Sequence, residues 1–187
     1  MTKEELIAAL KERNIDQTEN GFFTIFDSSF DLTDEVLELI YSTVPHSVEN
    51  RYDQAMKDFD FYRKLPHRLL AYLHQNKLIG LIGYAKNKQE GVYSIIPLII
   101  QEEHRFKGYA QLFLDYIEQL LLSQGAIKLQ AVLAIPLTME ASLATEVIPF
   151  LRNGYLITYI EKLVEDGIQV ISVEKHLSFV DPIFNNH

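Results

Sequence analysis

The sequence predicts one α+β domain built around a mixed sheet. Three observations lead to this prediction. Runs of apolar, β-branched and aromatic residues follow one another with short polar turns between them, which is typical of antiparallel strands. Other segments carry apolar residues three and four positions apart, which is typical of amphipathic helices. The chain has 187 residues, which is long enough to enclose a continuous core.

The first third of the chain is predicted to be mainly helical. Capping residues precede segments with apolar residues at helical spacing, and a proline stops the second of these helices. An Asn-Gly turn introduces an aromatic and β-branched run, which predicts the first strand. The expected elements are a helix that begins at Thr2, a strand at 21–27, a helix capped by Asp31 or Thr33 that ends before Pro45, and a helix capped by Ser47 that ends near residue 65.

The rest of the chain is predicted to be rich in strands. Polar turns separate three consecutive runs, so antiparallel neighbours are the simplest topology. A long helix with Leu112, Tyr116, Leu120 and Leu121 on its inner face then ends at a glycine, which suits a left-handed cap. The expected elements are strands at 68–74, 78–86 and 91–100, a helix at 107–123, a strand at 126–135, a helix at 138–153, and a hairpin of strands at 155–164 and 168–177.

Composition excludes several classes of protein. Cysteine is absent, which excludes a disulfide scaffold, a thiolate zinc site and a cysteine nucleophile. The formal net charge of -9, without a cluster of Lys and Arg, argues against nucleic-acid binding. The six histidines show no metal-binding spacing, so no metal is expected. No apolar run reaches the roughly 18 residues of a membrane span, and the first twenty residues lack the apolar core of a signal peptide. We therefore expect a cytoplasmic protein that binds neither membranes nor nucleic acid.

The segment Ile95–Leu114 carries the main functional signal. An apolar strand runs into a short polar loop and then directly into a long amphipathic helix. The first N–H groups of a helix have no partner within the helix, and the helix dipole adds partial positive charge there, so this arrangement favours an anion. Gly108 and Ala110 would let a phosphate approach the backbone, and Arg105 and Lys107 add charge. An ordinary strand–helix connection is the alternative. No P-loop or dinucleotide-binding glycine motif is present.

The same loop resembles that of a known family. Arg105-x-x-Gly108-x-Ala110 is similar to the Gln/Arg-x-x-Gly-x-Gly/Ala pattern of the GNAT acetyltransferase superfamily, in the same strand–loop–helix setting. Residues 150–155 resemble the family's ending of the next helix, and residues 171–177 resemble its closing strand. The resemblance implies a GNAT-like (acyl-CoA N-acyltransferase) fold, an α+β fold with a central mixed, mostly antiparallel sheet flanked by helices. It would occupy residues 20–178, between an N-terminal helical extension at 1–19 and a C-terminal tail at 179–187.

The resemblance also implies acetyl-CoA as the co-substrate. Backbone groups of the fourth predicted strand would bind its pantetheine arm, and backbone amides of the loop and helix start would hold its pyrophosphate. The residues so implied are Leu98, Ile99 and Ile100 on the strand, and Arg105, Phe106, Lys107, Gly108, Tyr109 and Ala110 after it. The acyl thioester would lie where the fourth and fifth predicted strands separate.

The catalytic groups are less well defined. Many family members carry a proton-donating Tyr where this chain has Phe150, and the Asn often found seven residues earlier is Leu143. Tyr155 is the substitute that we select, with Tyr116 and Thr145 as alternatives. For the general base, Glu102 and Glu103 follow the fourth predicted strand closely, and His104 has a suitable ordinary pKa. The alternative for each of these three residues is that it is an exposed, solvated side chain without a role in catalysis.

The implied activity is acyl-CoA-dependent N-acylation of a primary amine on a small molecule or peptide. Acidic residues are frequent between 27 and 60, which favours a cationic acceptor, whereas a solvated helix face is the alternative. A protein of this fold that binds acyl-CoA or a protein partner without catalysis is the other reading, because Phe150 and Leu143 replace the polar pair. A homodimer is expected for this fold, and residues 2–13 would pack either on a dimer mate or on their own domain.

Overall fold

The structure, a computed structural model, describes residues 16–18, 21–25, 33–44, 49–64, 67–75, 77–137, 146–165 and 167–177. In these residues the chain forms strands, helices and a single short 3-10 helix at Glu102–His104. The strands and α-helices are β1 (Asp16–Thr18), β2 (Gly21–Ile25), α1 (Thr33–Thr43), α2 (Arg51–Lys64), β3 (His67–His74), β4 (Lys77–Lys86), β5 (Val92–Ile100), α3 (Tyr109–Ser123), β6 (Lys128–Pro136), α4 (Ile148–Arg152), β7 (Leu156–Leu163) and β8 (Ile168–His176).

Two compact units share strand β5. The first unit contains the described residues up to Ala85 together with Ile95–Ala110, and the second contains Lys86–Ser94 and the described residues from Gln111 onwards. The candidate anion loop therefore belongs to the first unit. The long helix α3 lies in the second unit, apart from its first two residues.

The first unit is an antiparallel sheet covered by helices. Its strand order is β1-β2-β3-β4-β5, and the registers include Phe23 opposite Tyr72 and Leu70 opposite Ile82. Helices α1 and α2 contribute to a core cluster with strands β2 to β5. The members of this cluster include Val36, Leu39, Ile40, Ala55, Phe59, Leu69, Ala71, Leu73, Leu81 and Ile99. Burial of these side chains is the main stabilising term of the unit.

The second unit contains the parallel part of the sheet. Val92–Ser94 of β5 pair in parallel with Lys128–Gln130 of β6. Strand β8 lies antiparallel between β6 and β7, giving the order β5-β6-β8-β7. One parallel pair beside antiparallel ones makes the sheet mixed and mostly antiparallel, with helices packed on it, which confirms the predicted fold class.

Most predicted strands agree with the structure to within two residues. Strand β1, which pairs with β2, was not predicted, because a three-residue strand carries too little pattern. Residues 2–13, 138–145 and 178–187 lie outside the described residues, so the predicted N-terminal helix, most of the helix at 138–153 and the tail are not described. The domain boundaries stay a prediction.

Two helix starts differ from the prediction for local reasons. Helix α2 begins at Arg51, not near Ser47, because Asn50 is its cap: the N–H of Asp53 donates to Asn50 Oδ1 at 3.4 Å. Helix α3 begins at Tyr109, not at residue 107, because Phe106 and Gly108 have φ angles of 61° and 88°, which a right-handed helix cannot contain. In the part of the chain that the structure describes, no helix has the length and apolar character to span a membrane.

Candidate functional site

The end of strand β5 supplies the first part of the candidate site. Burial alternates along this strand, so Ile99 packs in the core of the first unit, whereas Leu98 and Ile100 are half-buried on the opposite face. The strand continues for six residues, Ile95–Ile100, beyond its three-residue register with β6. The predicted pantetheine-binding residues all lie on this continuation.

Backbone hydrogen bonds fix the chain as it leaves β5. The N–H of Gln101 donates to the carbonyl of Ile79 on β4 at 2.9 Å. Within the short 3-10 turn, the N–H of His104 donates to Gln101 O at 2.9 Å and that of Arg105 donates to Glu102 O at 3.2 Å. The segment that leads into the loop is therefore held by its own backbone and by the neighbouring strand.

The two cations of the loop have different surroundings. The Nε–H of Arg105 donates to the carbonyl of Ile100 at 3.3 Å, so its half-buried guanidinium folds back on the end of β5. Lys107 is exposed. Arg105 therefore helps to shape the loop, and Lys107 is the cation whose ammonium group remains in solvent.

Gly108 gives the loop its shape and its open face. Its φ of 88° lies in the left-handed region, where a residue with a side chain would have a strained backbone. The space around it is open, because a Cβ atom at this position would have nothing within 4 Å. Helix α3 begins at the next residue, so its first N–H groups lie directly after Gly108. An anion can approach this backbone closely, and the residues present therefore fit a pyrophosphate.

Aromatic contacts hold the start of α3. The ring of Tyr109 lies 5.9 Å from that of Tyr72 on β3 and 5.7 Å, edge-on, from the imidazole of His104. Tyr72 is buried and also packs on Phe23, with ring centroids 4.8 Å apart. Tyr72 could not be selected from the sequence, because a tyrosine inside an apolar strand gives no sign of what it contacts. These rings position the helix start against the sheet of the first unit.

The candidate bases Glu102 and Glu103 lie in the 3-10 turn, and both are exposed. The Oε1 atom of Glu103 lies 3.1 Å from Nε2 of His104, whose side chain is 18% exposed. The structure thus brings both carboxylates next to the loop in the first unit. The contact between Glu103 and His104 is an approach within ion-pair distance only, since Nε2 of His104 makes no hydrogen bond of good geometry.

The candidate acid Tyr155 belongs to the second unit and is fully buried there. Its ring meets that of Phe150 edge-on, with centroids 5.2 Å apart. Burial, and then the charge of Glu118, raise the pKa of the Tyr155 hydroxyl well above its ordinary value. The hydroxyl makes no hydrogen bond of good geometry in the structure, although Glu118 is close enough to act on it.

Glu118 is a buried charge that the sequence analysis did not select. The Nδ2 of Asn153 donates to its Oε1 at 2.6 Å, and Nζ of Lys175 lies 2.6 Å from its Oε2. A possible signal was available, because Glu118 lies between the apolar residues Ile117 and Leu121 on one helix. Of the alternatives to Tyr155, Tyr116 is half-buried on α3, and Thr145, like Leu143, lies outside the described residues, so both stay predictions.

Exposed acidic side chains lie on α1, directly before α2 and in the first turn of α2. Asp34, Glu38, Glu49 and Asp53 are all exposed. Asp34 and Glu38 are four positions apart on α1 and therefore share one helix face. Among the residues that the structure describes, no group of three or more His, Asp or Glu side chains could hold a metal ion.

Comparison with known proteins identifies a family. The model of the Acetyltransferase (GNAT) family matches residues 33–141, which is more than half of the chain. This match includes strand β5, the loop and all of α3, and it ends before Tyr155. No protein with a curated description matches the chain.

Solved structures share the fold. An aminoglycoside 6'-N-acetyltransferase complexed with coenzyme A has 16% identity and a TM-score of 0.65, and the match covers 82% of this chain and 96% of that one. The aminoglycoside 6'-N-acetyltransferase from Enterococcus faecium has 16% identity, a TM-score of 0.64 and the same coverage of 82% and 96%. An N-acetyltransferase from Staphylococcus aureus Mu50 has 11% identity and a TM-score of 0.62, with 86% and 100% covered. At these identities the likeness shows the fold alone.

Proposed function

Because this chain belongs to the GNAT acetyltransferase family, we propose that it transfers an acyl group, with acetyl as the simplest case, from acyl-CoA to a primary amine. The acceptor would be a small molecule or a peptide. The observation that carries the proposal is the loop Arg105–Gly108 with the start of α3 after it. There a left-handed glycine with open space around it lies directly before a helix start, where the first N–H groups have no partner within the helix.

The donor would bind along one continuous stretch of the first unit. The pyrophosphate would bind to backbone amides of Arg105–Ala110, where the ammonium group of Lys107 adds charge. The pantetheine arm would bind to backbone groups of Leu98, Ile99 and Ile100, which lie on β5 beyond its register with β6. An extended arm beside an extended strand can form hydrogen bonds as an added strand would.

Acyl transfer requires two proton movements. The amine nitrogen attacks the acyl carbon, so that a C–N bond forms and the C–S bond breaks. A base takes the amine proton, and the departing thiolate accepts one. Glu102 and Glu103 are our candidates for the base, since both carboxylates lie in solvent at the end of β5. Tyr155 is our candidate for the donor to the thiolate, because its hydroxyl carries a proton at neutral pH; burial and the charge of Glu118 raise its pKa and so oppose release of that proton.

A cationic amine is the acceptor class that we propose. The exposed acids of the first unit, Asp34, Glu38, Glu49 and Asp53, would attract such an amine and raise its local concentration. Polyamines and aminoglycosides belong to this class. Two of the solved structures with this fold are aminoglycoside 6'-N-acetyltransferases, which supports testing aminoglycosides first.

A second candidate function is binding of acyl-CoA or a protein partner without catalysis. The observation that favours it is Phe150, which is 1% exposed, packs on Tyr155 and cannot donate a proton. Acyl transfer to any amine at an ordinary enzymatic rate would exclude this function.

The test is a thermal-shift titration with acetyl-CoA, longer acyl-CoAs and free CoA, followed by thiol release with a panel of amines. A ligand at a hundred times its Kd stabilises a protein by about 2.7 kcal/mol, which is readily measured. The Gly108→Glu variant should lose this shift, because a carboxylate would occupy the open face. Gly125→Glu is the matched control, since Gly125 also has a left-handed φ, of 84°, with nothing within 4 Å of a Cβ. Unaltered binding by a folded Gly108→Glu protein would contradict the proposal.

A homodimer and a cytoplasmic location are further parts of the proposal. Strand β7 is the last strand of its sheet and exposes apolar side chains, including Leu156, Tyr159 and Ile160, which supports an interface there. Light scattering that gives the mass of one chain at micromolar concentration would contradict the dimer.

A further inference from the structure

Phe106 has two features that its role as a backbone donor does not explain. Its side chain is 88% exposed, so the ring covers almost nothing in the protein. Its φ of 61° lies in the left-handed region, where a bulky residue is a genuine outlier. Glycine would remove the backbone strain, and a polar side chain would remove the exposed apolar surface. The chain instead has phenylalanine, which lowers the free energy of unfolding and adds no packing in return.

The position of the ring relative to the loop is the second part of the argument. Phe106 lies between Arg105 and Lys107, two positions before Gly108 and three positions before the first residue of α3. Arg105 is folded back on Ile100, whereas Phe106 and Lys107 are both exposed. The loop therefore presents one free cation and one free aromatic ring beside the open backbone at Gly108.

We propose that the ring of Phe106 stacks on the adenine of the acyl-CoA donor; this inference rests on the proposed function. In coenzyme A the adenosine is joined directly to the pyrophosphate. A pyrophosphate held at Gly108 and the start of α3 therefore places the adenosine next to the flanking side chains. An exposed ring can stack on the face of a base and exclude water from it, and every purine offers such a face. The ring of Phe106 would then recognise the adenosine end of the donor.

The test compares ligands that differ in the adenosine. Isothermal titration would measure the Kd of CoA and of 4'-phosphopantetheine for the wild type, Phe106→Ala and Phe106→Trp. The second ligand lacks the 3'-phosphoadenosine and has one phosphate in place of the pyrophosphate, so each variant is compared with the wild type for the same ligand. We expect Phe106→Ala to weaken CoA about five- to tenfold, the lower end of the range for loss of a base–aromatic stack because the site is open to water. Binding of 4'-phosphopantetheine should be unchanged, and Phe106→Trp should retain the affinity for CoA. An equal effect on both ligands, or no effect on either, would overturn the inference.

Two substitutions by glycine distinguish an effect on ligand binding from an effect of backbone strain. Gln75, in the turn after β3, is also exposed and also has a left-handed φ, of 50°. Phe106→Gly and Gln75→Gly should both raise Tm, because each relieves a strained backbone. Only Phe106→Gly should weaken the binding of CoA. Equal CoA affinity in these two variants would overturn the inference while leaving the proposed function intact, whereas a wild type that binds no CoA would overturn both.

Discussion

The ammonium group of Lys175 lies 2.6 Å from the carboxylate of Glu118, and the amide of Asn153 donates to the other oxygen of that carboxylate at 2.6 Å. The Glu118 side chain is only 11% exposed. A buried carboxylate is tolerated when both oxygens have charged or polar partners. This contact joins helix α3, the end of α4 and strand β8 within the second unit.

Removal of Lys175 should therefore destabilise the protein strongly. In Lys175→Met the charge of Glu118 stays buried with only Asn153 as partner, so we expect a loss of about 3 kcal/mol in the free energy of unfolding. Urea denaturation measures this. Lys128→Met is the matched control, because Lys128 is also 2.6 Å from its partner Glu174, whose side chain is 26% exposed. We expect less than about 1 kcal/mol there. Equal losses would show that burial of Glu118 is not the cause.

Tyr155 should make the stability depend on alkaline pH. Burial and the Glu118 charge raise its pKa in the folded state above the ordinary value of about 10. Above that pH the unfolded chain releases the phenolic proton and the folded chain keeps it, so stability is full below pH 10 and falls as the pH rises. The slope for one proton is about 1.4 kcal/mol per pH unit. In Tyr155→Phe this component should be absent. Denaturant midpoints of the wild type and of Tyr155→Phe, measured between pH 9 and 11, test this. If the two midpoints fall equally with pH, the prediction is contradicted.

Helix α3 shows what the sequence could and could not predict. Its existence, its end at Gly125 and its setting after an apolar strand follow from local patterns and are confirmed. The predicted inner face was right at Leu121 and wrong at Leu112, Tyr116 and Leu120, which are only half-buried. The other buried residues of the helix are Phe113, Leu114, Ile117 and Glu118. Apolar residues lie on most sides of this helix, so periodicity alone does not select one. A Glu on the buried face is acceptable because Lys175, 57 positions away, and Asn153 pair with its two carboxylate oxygens.

The candidate site likewise has features that could be predicted from the sequence and features that could not. The loop Arg105–Gly108 was predictable because glycine, cations and a helix start are adjacent in the sequence. The ring contacts of Tyr109 with Tyr72 and the return of Arg105 to Ile100 were not, since they depend on which strand lies beside the loop. Exposure of Phe106 and its left-handed backbone also arise only from the folded chain.

Neutralising the candidate base should slow acyl transfer without weakening the binding of the acyl donor. Loss of a general base typically reduces the rate 10²- to 10⁴-fold. We expect Glu102→Gln or Glu103→Gln to lower kcat by about 10²-fold or more with an unchanged Kd for acetyl-CoA. Glu90→Gln, at an exposed carboxylate in the turn before β5, is the control and should keep full activity. Full activity in both test variants would remove these two residues as bases.

The acidic face of α1 should matter for a cationic acceptor. Asp34 and Glu38 are exposed on one face of that helix, and neither lies in the proposed donor site. In Asp34→Asn/Glu38→Gln we expect the KM for a polyamine or aminoglycoside to rise several-fold and to depend less on salt, because attraction between exposed charges is screened by ions. The KM for acetyl-CoA should stay the same. Glu90→Gln/Glu165→Gln, at two exposed sites in the second unit, controls for the change of two units in net charge. If the KM of the amine and its salt dependence match the wild type, these acids are a solvated helix face and the acceptor is selected elsewhere.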